Sequence, residues 1–196
     1  MAEQIIISIS REFGTGGREI AGMIAKDLGI ALYDRNILEE IAEEKNTEIE
    51  HLERVDEKPR NLLLSRKVKG YSNSMEENLA QMQFEYLRKK ADSGESFVVV
   101  GRCSETVLKD REALVSIFVT GEIQDKIERI MKKDSLSEEE AKAKLNRHDK
   151  TRRKYHNHHS EHKWGDSRYY DICINSSRLG VEGTAKLLEE YIKRSI

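Results

Sequence analysis

The residues best able to do chemistry in this sequence are three glycines and the cations around them. Gly14-Thr15-Gly16-Gly17-Arg18 follows a short β-branched run at 5–10 and precedes Ile20, Met23, Ile24 and Leu28 at helical spacing. A strand that turns through glycines into a helix start presents unpaired N–H groups at the positive end of the helix dipole. That makes a prepared anion site. Glycine lets the backbone close tightly around an oxyanion. A plain tight turn would explain the glycines, but not their place between strand and helix. The pattern departs from G-x-x-x-x-G-K-[ST]. With Gly16 as its second glycine, the first falls on Arg11, the lysine on Gly17 and the hydroxyl on Arg18. Arg18, one position late, is the cation the turn can offer. The dinucleotide pattern G-x-G-x-x-G fails as well, because Glu19 stands where its third glycine belongs, although Asp34 suitably ends the second strand.

Other candidates sit at the ends of further strands. Asp34 and Arg35 follow the run at 30–33, and Gly101-Arg102 follows Phe97–Val100. The carboxyl ends of parallel strands face the ligand crevice, so these side chains are expected beside the glycine turn. The basic stretch at 147–154 contains Arg147, Arg152 and Arg153. It reads either as a solvated helix face or as a source of guanidinium forks for a polyphosphate. His156, His158, His159 and His162 match no zinc spacing and have no cysteine nearby. An exposed polar loop and no metal site are expected there. Cys103 has no evident base and does not read as a nucleophile.

The elements that must hold these residues alternate between strand and helix. Strands are expected at 5–10, 30–34, 97–100, 114–119 and 172–175. Helices are expected at 122–133, from a capping box at Ser137 and Glu140 into the basic stretch, and at 181–194. That alternation implies a mostly parallel sheet covered on both faces. Residues 35–95 read as a helical insert, with helices at 35–45 and 74–93 and a polar, weakly patterned loop between them. The 196 residues suit one domain spanning 1–196. Charged residues make up 36% of the chain but sum to only −2, so nucleic acid is not an expected partner. No stretch reaches the ~20 apolar residues of a membrane span. No leader peptide is evident, and two distant cysteines read as reduced thiols, so a cytoplasmic location is expected.

The segments ISISREFGTGGREIAGMIAKDLGIALYD, FVVVGRCSETVL, LVSIFVTGEIQDKIERI and the stretch from His148 to Gly183 together resemble the cytidylate-kinase-like family, a branch of the nucleoside monophosphate kinases. The resemblance implies a P-loop NTPase-like three-layer α/β/α fold. Its five-stranded parallel sheet would have the order 2-3-1-4-5, with an acceptor-binding insert at 35–95 and a lid at 147–168. It implies ATP and Mg2+ as cofactors and phosphoryl transfer to a nucleoside monophosphate, CMP first. Gly14, Thr15, Gly16, Gly17 and Arg18 would hold the donor phosphates. Arg18, Arg147, Arg152 and Arg153 would stabilise the transferring group. Asp34, Arg35, Arg102, Asp149 and Arg152 would serve the acceptor, with Asp149-x-x-Arg152 matching the family's lid motif. Where bacterial cytidylate kinase has Asp-Gly-Arg-Asp, this chain reads Val100-Gly101-Arg102-Cys103, keeping only the arginine. The family's acceptor-gripping arginine falls on Glu40, for which Arg35 stands in. A nucleotide-binding protein without turnover, or a kinase for another small molecule, are the rival readings.

Overall fold

The structure, a computed structural model, describes residues 4–34, 36–39, 41, 67–68, 71–72 and 75–195. Strand β1 (Ile6–Arg11) leads through the glycine turn into α1 (Gly17–Leu28), which Gly29 ends in the left-handed conformation. β2 (Ala31–Tyr33) follows, then a helical turn at 37–39. The short strands β3 (Lys67–Val68) and β4 (Tyr71–Ser72) form a separate antiparallel ladder. The ladder lies within the stretch expected to be a polar, weakly patterned loop, the rest of which is outside the described residues. Helix α2 (Met75–Asp92) leads to β5 (Phe97–Val100), and a short helix α3 (Ser104–Val107) leads to β6 (Leu114–Thr120). Helices α4 (Ile123–Asp134) and α5 (Glu138–His159) form a pair. A 3-10 turn (Ser167–Tyr169), β7 (Ile172–Asn175) and α6 (Gly180–Ser195) complete the chain.

The main sheet has five parallel strands in the order β2-β5-β1-β6-β7, which is 2-3-1-4-5 when its own strands are numbered along the chain. β1 lies at its centre, so the turn that leaves β1 opens at the middle of the sheet's carboxyl edge. Alternation along the strands divides the core into two layers. Ile7, Ile9, Val98, Val100, Ile117 and Val119 face α1 and α6. Ile6, Phe97 and Val99 face α2 and the helical turn carrying Ile37, Leu38 and Ile41. The expected capping box starts α5. Ser137 accepts from the Glu140 backbone N–H, and the Glu140 carboxylate accepts from the Ser137 backbone N–H. No helix among the described residues is long and apolar enough to cross a membrane.

Candidate active site

The turn from Glu12 to Gly17 is held in one shape from several sides. Gly14 (φ +84°) and Gly16 (φ +78°) occupy the left-handed region that glycine alone enters freely. Thr15 Oγ1 donates to the Glu12 carbonyl, and Ser176 Oγ donates to the Thr15 carbonyl. The glycines also allow close packing. A methyl group on Gly16 would lie 2.5 Å from Val181 Cγ2, and one on Gly17 would lie 2.7 Å from Arg11 Cβ. The second contact explains the departure from the usual motif: the position that carries a lysine in other P-loops has no room here for a side chain. The amides of Gly14, Gly16 and Arg18 donate to no protein acceptor among the described residues. They border a cavity of about 410 Å³ that Glu12, Phe13, Asp34, Arg129, Lys144, His148 and Arg152 also line. Backbone donors at a helix start, facing an open space, fit a phosphate.

Helix α5 reaches back onto this turn. Asp149 Oδ1 accepts the Phe13 backbone N–H at 2.7 Å. His148 stacks on the Phe13 ring with centroids 4.2 Å apart, and the Arg152 guanidinium lies over the same ring, 5.4 Å from its centroid. Arg152 also donates to the Arg11 carbonyl at 3.4 Å. Burial raises the Asp149 pKa, and the Phe13 N–H and the Arg152 charge oppose that rise. The Asp149-x-x-Arg152 pair, expected to serve the acceptor, thus touches the glycine turn itself. Arg147 and Arg153 are exposed and do not line this cavity. The Arg153 guanidinium lies over the Trp164 ring.

Arg18 is expected to be the turn's cation for the donor phosphates. In the structure its Nε lies 2.6 Å from Asp34 Oδ2, with the Arg18 side chain 66% exposed and that of Asp34 only 10%. The pair ties the start of α1 to the end of β2, and both residues line the turn cavity. A second ion pair escaped sequence reasoning. Lys126 of α4 is buried and its Nζ lies 2.7 Å from Glu12 Oε2, which also accepts from Thr120 Oγ1. Arg129 and Lys133, on the same helix, both reach Glu19. These cations surround the turn from a helix whose sequence reads only as amphipathic. Arg35 lies outside the described residues.

Arg102 is buried where β5 ends, and it shares a small cleft with Ser10, Arg11, Arg152, Tyr155 and His156. Arg11 and Arg152 border both this cleft and the turn cavity, so the two are neighbours. Gly101, Arg102 and Cys103 all have positive φ, at +77°, +62° and +51°. Two non-glycine residues in this region cost about 1–2 kcal/mol each. Ser104 fixes the corner, with its Oγ 2.8 Å from the Gly101 carbonyl and 2.7 Å from Ser8 Oγ. Beneath the corner lies Glu105, whose carboxylate meets His156 Nε2 at 2.6 Å and accepts from Ser10 Oγ at 3.1 Å. This corrects the expectation of an exposed histidine loop. His156, His158 and His159 belong to the last turn of α5, and His156 is buried. Burial, aided by the neighbouring His158, pushes the His159 pKa down to about 4. The almost wholly polar α5 sequence hid both the length of the helix and the face it buries.

The family model described as the cytidylate kinase-like family matches residues 6–178, nearly the whole chain. The chain belongs to the cytidylate kinase-like family. Among solved structures, an uncharacterized protein from Eubacterium ventriosum is 34% identical, with a TM-score of 0.77 over 97% of this chain and 99% of the other. The shikimate kinase from Bacteroides thetaiotaomicron is 12% identical, with a TM-score of 0.57 over 96% of this chain and 98% of its own. The shikimate kinase from Aquifex aeolicus is 14% identical, with a TM-score of 0.51 over 96% of each. At such identities the two kinases show a shared P-loop kinase fold. No curated protein matches the sequence.

Proposed function

We propose that this cytidylate kinase-like chain is a small-molecule phosphotransferase that uses ATP and Mg2+, with a nucleoside monophosphate, CMP first, as acceptor. One observation carries the reading: Asp149 and Arg152 reach from α5 onto the glycine turn, so a guanidinium borders the same cavity as the turn's unengaged amides. Phosphoryl transfer needs positioning and positive charge more than covalent chemistry. On this reading Gly14–Arg18 hold the donor phosphates and Arg152 stabilises the moving group. Asp34 and Arg102, with Arg35, serve the acceptor. Arg147 and Arg153 come to the site only if the 147–168 segment shifts as a lid, over an acceptor insert at 35–95. Asp34 and Glu12 line the cavity but already face Arg18 and Lys126, so Mg2+, which takes one or two carboxylates beside the nucleotide's own phosphates, would be held by either only in exchange for that cation. When bound, the ion neutralises charge on the phosphate oxygens.

The Arg18–Asp34 pair and the space-filled lysine position favour a second reading, nucleotide binding without turnover. An ADP-release assay with ATP, Mg2+ and a panel of acceptors separates the readings. Turnover with CMP that falls at least about 100-fold in Arg152→Ala supports the first, on the scale of lost charge stabilisation in transition states. ATP binding with no turnover on any acceptor selects the second. Turnover on a non-nucleotide alone removes the CMP assignment.

A further inference from the structure

Away from the turn, the C-terminal end of α5 meets the start of α2 through a cluster that phosphoryl transfer does not use. Glu77 of α2 and His158 and His159 of α5 each offer a ligand atom, and these atoms all lie within 4.8 Å of one another. His158 Nε2 already lies 3.0 Å from Glu77 Oε2. Consecutive residues of a helix normally point apart. Here the two imidazole rings are 4.7 Å apart, edge to face, and the carboxylate that completes the group comes from the other helix. The His159 ring is fixed from two sides, with Tyr155 at 4.7 Å and Phe84 of α2 at 5.4 Å between centroids. His158 is the more exposed of the two histidines and already meets Glu77, while the His159 ring is held in place.

We propose that Glu77, His158 and His159 form a binding site for a late first-row divalent metal ion, Zn2+ above all, that clamps α2 to the end of α5. The donor set decides the class of ion. Two imidazoles and one carboxylate suit Zn2+, whereas Mg2+ and Ca2+ take oxygen ligands. Three protein ligands leave a fourth tetrahedral position for water. Ligand bonds of about 2.0–2.1 Å put tetrahedral ligand atoms roughly 3.4 Å apart. The ligand atoms, within 4.8 Å of one another, would draw in to that spacing when an ion binds. The site joins two elements far apart in sequence, so a bound ion stabilises the fold wherever the unfolded chain binds it less well. It also holds the end of the basic helix against α2.

The test uses the untagged full chain, stripped with a chelator and titrated with Zn2+ against a chromophoric competitor. The expected result is one Zn2+ per chain, undisturbed by excess Mg2+. His158→Ala, His159→Ala and Glu77→Gln should each weaken binding at least about tenfold, since losing even an outer partner of a ligand costs that much. His162→Ala is the control, because its ring stacks on Tyr169 at 3.4 Å and lies outside the cluster. Zn2+ should raise the melting temperature of wild type but not of His158→Ala, an exposed position whose variant should fold. Equal Zn2+ affinity in wild type and His158→Ala overturns the site, as does an equal loss in His162→Ala. A melting temperature unmoved by saturating Zn2+ overturns the clamp.

Discussion

Replacing Gly16 with alanine tests how the glycine turn is seated. The new methyl would meet Val181 Cγ2 at 2.5 Å, far inside van der Waals contact, at a backbone φ of +78°. The left-handed conformation costs a non-glycine residue about 1–2 kcal/mol. Forcing a methyl into a packed contact adds about 1–3 kcal/mol. Gly16→Ala should therefore destabilise the protein by roughly 2–5 kcal/mol. Val181 is itself buried, so Val181→Ala alone should cost about 2 kcal/mol in lost burial and cavity formation. In the double variant the alanine at 16 occupies space that Val181 leaves, and only the backbone cost and part of the lost burial remain. The double should thus be more stable than the sum of the singles by about 1–3 kcal/mol, within the range of direct contacts. Urea denaturation of the four proteins measures the cycle. Additive singles, with coupling below about 0.5 kcal/mol, would refute the seating argument.

Three further outcomes follow from other contacts. Gly22, inside α1, has nothing within 4 Å of the place a methyl would take, so Gly22→Ala should stabilise by about 0.5–1 kcal/mol in urea denaturation. Lys126→Met leaves Glu12 without its cation, and should cost about 2–3 kcal/mol, less than a fully buried pair because Glu12 is partly exposed. Adding Glu12→Gln should recover part of that loss. Tyr170 and Tyr33 both have raised pKa values, chiefly through burial, so the unfolded chain ionises them near 10 while the fold keeps them neutral. Their contribution is complete below pH 10 and is lost as pH rises above it. The Tyr170 hydroxyl has no completed hydrogen bond, although Ser10 and Gly165 are near. Tyr170→Phe should therefore leave stability near neutral pH unchanged or higher, and should flatten its fall in alkaline denaturation.

Much of the fold was legible because it rests on local patterns. Runs such as Phe97–Val100, buried throughout, read as strands, and Ile20, Ile24 and Leu28 gave α1 its period. The glycine turn was legible as a candidate site because its residue types and its place between strand and helix are both sequence properties. Its shape was less so. The fit of Gly16 against Val181, the Lys126–Glu12 pair and the Arg18–Asp34 pair depend on which distant elements the sheet brings together. The strained corner at Arg102 and Cys103 was hidden because neither residue favours positive φ. The histidines were misread because α5 carries only five buried residues, among them Asp149 and His156, so its polar pattern resembles solvent-facing chain.

The staple between Ser176 Oγ and the Thr15 carbonyl spans 161 residues, and Val181 closes on Gly16 from the same region. The order of synthesis therefore matters to this protein. A ribosome finishes the strand, turn and first helix long before it makes the segment that shapes them. Contacts this distant form late and slow the search for the native state. On the proposed phosphotransferase reading, a nascent chain ending before 176 should leave its turn unset and bind ATP poorly. The turn's final shape would arrive with the last strand and helix, in one step with completion of the sheet.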